Sequence, residues 1–156
     1  KALNDTMANG MRVLSIRQVE EGKAGKAMSL VAAADYLVTF RDGKAPKGDW
    51  KQSLAEFLKQ PEIKIVKKTK KNEKEVDIRP FIYAMRLEGD SIFMQLAAGS
   101  VKNTKPELVM EAFAAYRGNA YDSGDFMIHR CEIYADTGSE DAMHLVSLED
   151  LGDEIE

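Results

Sequence analysis

Apolar positions recur every second residue in some stretches and at helical spacing in others, and the switches between the two periods divide the chain. Leu3 and Met7 lie four apart ahead of Gly10, so residues 1–9 read as the end of a helix with glycine just past it. In MRVLSIRQVE, Val13 and Val19 alternate against Leu14 and Ile16, the pattern of a half-buried strand. EGKAGKA is a loop, residues 29–33 predict a short helical turn, and β-branched and aromatic residues predict a strand over 36–41. After the turn-rich DGKAPKGD, Asp49 is placed to cap a helix that Pro61 stops. Trp50, Leu54, Phe57 and Leu58 form the buried stripe of that helix.

EIKIVKKTKKNEKEVDIRP then predicts two strands around residues 71–73, a β-ribbon with a basic tip. FIYAMRLEGDSIFMQLAAG predicts a hairpin turning at Gly89-Asp90, with Pro80 marking an edge or bulge between the two. Thr104 and Glu107 have capping-box spacing, with Pro106 in the first turn of the helix that follows. Val109, Ala112, Phe113 and Tyr116 make its buried stripe, and Gly118 ends it. DFMIHRCEIYA is a strand with Phe126, Ile128, Arg130 and Glu132 on one side. Met127, His129, Cys131 and Ile133 on the other side read as a core face under the sheet.

From residue 36 onward the order is β-α-(ribbon)-β-β-α-β. The fold class is therefore α+β, a ferredoxin-like split β-α-β sheet with an inserted basic ribbon. Residues 1–20 are expected to be the closing helix and strand of a preceding similar unit. Residues 21–140 form the α+β domain and 141–156 an acidic tail, of which SLEDLGDEIE is expected to fray. An opening without Met, apparently within a helix, suggests a piece of something longer.

Charge changes this picture. The formal net charge is −4, from 22 basic and 26 acidic residues. Yet residues 62–74 carry six lysines (Lys64, Lys67, Lys68, Lys70, Lys71 and Lys74) against Glu62 and Glu73, while the last 25 residues hold nine acids and no Lys or Arg. Such a lysine cluster on a hairpin is either a solvated edge that discourages aggregation or a phosphate-binding surface. Arg79 and Arg86 extend the basic line, and Phe81 and Tyr83 are close enough in sequence to offer base stacking. Ser100 and Asn103, with Lys102 and Lys105, precede a helix and would suit one phosphate.

Other chemistry is sparse. Two histidines and one cysteine leave almost no ligands for a structural metal, so His129 and Cys131 are expected to bind none. One thiol cannot hold an iron–sulfur cluster. Asp77 beside Arg79 reads as a local ion pair or, as the rival, an acid–base group. No catalytic set emerges. The longest apolar runs are too short to span a bilayer, and the lack of a charged-then-apolar leader argues for the cytoplasm.

KKTKK leading to EVDIRP, then LAAGSVKNTKPELVMEAF, then IHRCEIYA, resemble the C-terminal half of the bacterial radical SAM-linked family, a domain of unknown function encoded beside or fused to radical SAM proteins. Lys67, Lys68, Lys70, Asp77, Arg79, Pro80, Gly99, Ser100, Asn103, Pro106, His129 and Arg130 match its recurrent motifs. The resemblance implies an accessory module for a radical SAM partner, in a setting that suggests RNA or ribosome modification, without catalytic residues or a cofactor of its own. The expected function is thus binding of structured RNA, tRNA or rRNA, by Lys67, Lys68, Lys70, Lys71, Lys74, Arg79, Arg86, Ser100 and Asn103, with stacking on Phe81 and Tyr83. The alternatives are a protein-interaction module that docks the radical SAM partner, and an RNA-processing enzyme using Asp77 or His129.

Overall fold

The structure, a computed structural model, describes residues 2–19, 27–68, 73–99, 102–139 and 141–154, with the backbone alone at 27, 28, 67 and 68. A short helix α1 (Ala2–Asp5) and a two-residue strand β1 (Arg17–Gln18) precede the main body. The body runs β2 (Val31–Phe40), α2 (Trp50–Leu58), β3 (Lys64–Lys68), β4 (Glu73–Asp77), β5 (Ile82–Glu88), β6 (Ser91–Ala97), α3 (Pro106–Tyr116) and β7 (Phe126–Asp136). It closes with β8 (Leu145–Ser147) and β9 (Asp153–Glu154).

The main sheet has the order β5-β6-β2-β7-β8, and every neighbouring pair is antiparallel. With β3 and β4 set aside, the chain visits the sheet as β2-α2-β5-β6-α3-β7, which is the split β-α-β, ferredoxin-like arrangement. Among the described residues β3 and β4 pair only with each other, so the ribbon is an insertion between α2 and β5.

Both helices lie on one sheet face. Trp50, Leu54 and Phe57 of α2 and Val109, Met110 and Phe113 of α3 are buried in one cluster with Val38, Ile92, Met94 and Leu96. Phe57 and Phe113 meet across the helices, ring centroids 5.4 Å apart. Full burial of each such side chain contributes about 1.5–3 kcal/mol, so this seam dominates the stability. Asp49 caps α2 as expected, its carboxylate accepting from the Gln52 N–H at 3.0 Å. Gly89, with φ 63°, opens the two-residue turn between β5 and β6, a backbone region in which a side chain would be strained.

Several expectations need correction. β2 begins at Val31, because Ala33 and Ala34 are buried central-strand residues paired on both sides. A run of alanines reads as helix locally, and sheet pairing overrides that propensity. MRVLSIRQVE supplies only the two residues of β1, and Leu14 is 88% exposed. Tyr116 is 44% exposed at the last turn of α3, although its ring still reaches Phe57. Thr104 does not cap α3: Lys105 occupies the cap position with no side-chain bond, and Thr104 is buried. His129 and Cys131 are exposed, not under the sheet, since the helices cover the opposite face. The tail does not fray at its start. β8 extends the sheet beside β7, and β9 pairs with β1.

Candidate nucleic-acid interface

The ribbon's register sorts its lysines. Lys64 lies opposite Asp77, Val66 opposite Glu75 and Lys68 opposite Glu73, so both lysines on that side of the ribbon are paired with an acid. The Lys64 ammonium is 3.1 Å from Glu62 and 3.9 Å from Glu75, and the hydrogen bond to Glu62 raises its pKa. On the other side Ile65 faces Val76, and both pack against the core at the ribbon's base. One step out on that same side, Lys67 is paired with Lys74. Like charges directly opposite in an antiparallel pair are destabilising by a few tenths to about 1 kcal/mol.

Of the other ribbon residues, Lys74 is exposed. Lys70, Lys71 and Ser100 lie outside the described residues, as do the side chains of Lys67 and Lys68. Asn103 is exposed and has an interaction partner of its own.

Asp77 and Arg79 do not form a side-chain ion pair. The Asp77 carboxylate accepts from the Ile63 N–H at 2.7 Å and the Arg79 N–H at 3.0 Å, tying both ends of the ribbon root together. The Arg79 guanidinium donates to the Ile82 carbonyl at 3.3 Å. The 3₁₀ turn Arg79–Phe81 breaks the strand alternation that had placed the two side chains together. Phe81 is half-buried in that turn.

Arg86 sits apart from the ribbon, on the helix-free face of the main sheet. Its guanidinium lies 3.7 Å over the Phe93 ring and 2.6 Å from Glu88. Phe93, Leu37 and His129 continue the same cross-strand row. This face also carries a polar network that the sequence reading missed. Asp35, 8% exposed in the central strand, accepts from the Gln95 amide at 2.9 Å and from the Tyr134 hydroxyl at 2.7 Å. That hydrogen bond, with burial, pushes the Tyr134 phenol up to about 12. The signal was an aspartate amid the apolar run VAAADYLVTF, since a carboxylate at such a place must find donors.

Tyr83 is the bulged residue of β5. Ile82 pairs with Leu96 and Ala84 with Gln95, leaving Tyr83 as the extra residue. Bulges re-aim a side chain, and Tyr83 points into a cleft of about 250 Å³ at the sheet's end, shared with Gly99, Lys102, Asp136 and Met143. Burial raises the Tyr83 phenol pKa, and the nearby Asp136 carboxylate adds to it. Asp136 itself is held below the usual carboxylate range by hydrogen bonds from the backbone N–H groups of His144 and Gly138. The structure thus brings Tyr83 to the strand-to-helix connection, while Arg86 is directed elsewhere.

Among the described residues, no three His, Cys, Asp or Glu side chains are grouped to hold a metal ion, and no helix is long and apolar enough to cross a membrane. A family described as uncharacterized protein conserved in bacteria (DUF2344) matches residues 1–106, and the chain belongs to that family. The match ends ahead of IHRCEIYA. No curated protein and no solved structure matches the chain.

Proposed function

We propose that this member of the DUF2344 family is an accessory module that binds structured RNA through its β-ribbon and presents it to a radical SAM partner. The observation that carries this reading is the Lys67–Lys74 pairing. The ribbon's other side matches lysines with acids, whereas this side places two cations opposite each other where the apolar base ends. A solvated edge gains nothing from that repulsion. A phosphate between the two strands relieves it, since an anion shared by two ammonium groups neutralises both. The radical SAM partnership is supported by the sequence resemblance.

A protein-docking role without RNA is favoured by one observation, the exposure of Met11, Leu14 and Ile16 ahead of β1. An RNA-cleaving role has less support. Asp77 is engaged by two backbone N–H groups at the ribbon root, and His129 is on a different sheet.

The double substitution Lys67→Gln with Lys74→Gln tests the proposal through two opposed readouts. Removing the repulsion should stabilise the fold by up to about 1 kcal/mol. It should also weaken RNA binding for all sequences alike, because phosphate contacts position without specifying. Greater stability with unchanged RNA affinity would leave the ribbon a solvated edge.

A further inference from the structure

The cleft at the end of the main sheet joins a cation and a carboxylate to an aromatic ring, which the ribbon lacks. Tyr83 lines it with an aromatic ring, and Met143 adds polarizable apolar surface. Lys102 brings an exposed ammonium that is in no ion pair among the described residues. Asp136 brings an ionised carboxylate with one oxygen, Oδ1, already accepting from Gly138 at 2.9 Å and His144 at 2.8 Å. Among the described residues no hydrogen bond is made to its Oδ2, which can accept from a ligand.

The backbone keeps this space open. Ala32, Ala98 and Gly99 line it with small residues. Gly99 has φ 117°, and a Cβ there would run into the carbonyl oxygen of Val31, so only glycine fits. In sequence, β4 ends at Asp77, and Tyr83 follows the short turn Arg79–Phe81 after it.

We infer that this cleft holds one ribonucleotide unit, with its base against Tyr83 and Met143, its phosphate on Lys102 and a ribose hydroxyl donating to Oδ2 of Asp136. The inference rests on the RNA reading of the ribbon and assigns that reading a second, single-nucleotide contact. A cleft of this size suits one nucleotide and not a run of bases. The cation and the carboxylate set its polarity, because phosphate is excluded from the Asp136 side while a hydroxyl donor is welcomed there. The 2′-hydroxyl is the group that distinguishes RNA from DNA at such a contact.

The test titrates the full chain with AMP, dAMP, adenosine and inorganic phosphate, followed by NMR shifts of the residues around the cleft. AMP should bind saturably and more tightly than dAMP, adenosine or phosphate. Tyr83→Leu should weaken AMP and adenosine roughly tenfold, the scale of one lost stacking contact, while Tyr83→Phe retains binding. Lys102→Gln should weaken AMP and leave adenosine unchanged. Phosphate binding as tightly as AMP, no AMP binding at millimolar concentration, or Tyr83→Leu binding AMP like the parent would each overturn the inference. The two readings fail separately. The Lys67→Gln, Lys74→Gln variant should bind AMP as the parent does, and a chain that binds RNA through the ribbon yet ignores AMP retains the first reading and loses this one.

Discussion

Replacing Thr104 with valine should stabilise the protein, which is the reverse of what its sequence position suggests. The capping-box spacing of Thr104 and Glu107 implies a hydroxyl that satisfies a helix N–H, and removing such a cap costs about 1 kcal/mol. In the fold the helix starts later. Lys105 is the cap residue and makes no side-chain bond, while Thr104 is 1% exposed and its hydroxyl has no hydrogen-bond partner among the described residues. Its backbone N–H donates to the Ala97 carbonyl at 3.0 Å, a bond that valine keeps. Valine matches threonine in shape and β-branching, so the change exchanges a desolvated hydroxyl for a methyl group. An unsatisfied buried hydroxyl costs about 1–3 kcal/mol, and allowing for relaxation the expected gain is about 1 kcal/mol. For a chain of 156 residues, that corresponds to a rise in Tm of about 2–4 °C. Thr104→Ser, which keeps the hydroxyl and loses the methyl, should instead destabilise by about 1 kcal/mol. Thermal and urea unfolding of the three proteins decide the matter. A valine variant less stable than the parent by about 1 kcal/mol would show that the hydroxyl caps the helix, and would refute the packing argument.

Two further outcomes follow from the core and the polar network. Phe113→Ala should cost about 3–5 kcal/mol in urea unfolding, whereas Tyr116→Ala, at a 44% exposed position, should cost under about 1.5 kcal/mol. The Tyr134 phenol titrates near 12 in the fold against an ordinary value of 10.0, so its contribution is fully present below pH 10 and is lost as pH rises toward 12. Alkaline unfolding should therefore show a steeper stability loss over that window in the parent than in Tyr134→Phe; parallel curves would contradict the Asp35 hydrogen bond.

The helices and hairpins were legible because their information is local. Trp50, Leu54 and Phe57 repeat at helical spacing, and Gly89-Asp90 needs no distant partner to mark a turn. The order of elements then admits the ferredoxin-like sheet with little ambiguity. What stayed hidden depends on register. Ala33 and Ala34 read as helix formers until β6 and β7 flank them. Cys131 lies at the irregularity where Asp35 pairs with Glu132 and Tyr36 with Arg130, a shift that alternation cannot reveal. The same holds for the site. Lysine density pointed to the ribbon, but only the pairing separates Lys67 and Lys74 from the acid-matched Lys64 and Lys68. Tyr83 was singled out for its proximity to the lysines, whereas its bulge places it beside Gly99 and Lys102. Arg79 was counted as a phosphate ligand, yet its guanidinium bonds to the Ile82 carbonyl at the ribbon root.

The most direct test of the ribbon's role is the salt dependence of RNA binding, read by fluorescence anisotropy of a labelled RNA stem-loop with a single-stranded loop across several salt concentrations. Lys67 and Lys74 face each other in the described register, and Lys70 and Lys71, outside the described residues, adjoin them in the sequence. Four phosphate contacts give a slope of log K against log salt of roughly −3, from about −0.7 per contact on a single strand. The Lys67→Gln, Lys74→Gln variant should fall to a slope of roughly −1.5 with its fold intact. A parent that binds no RNA at low salt, or a double variant whose slope matches the parent's, would contradict the account.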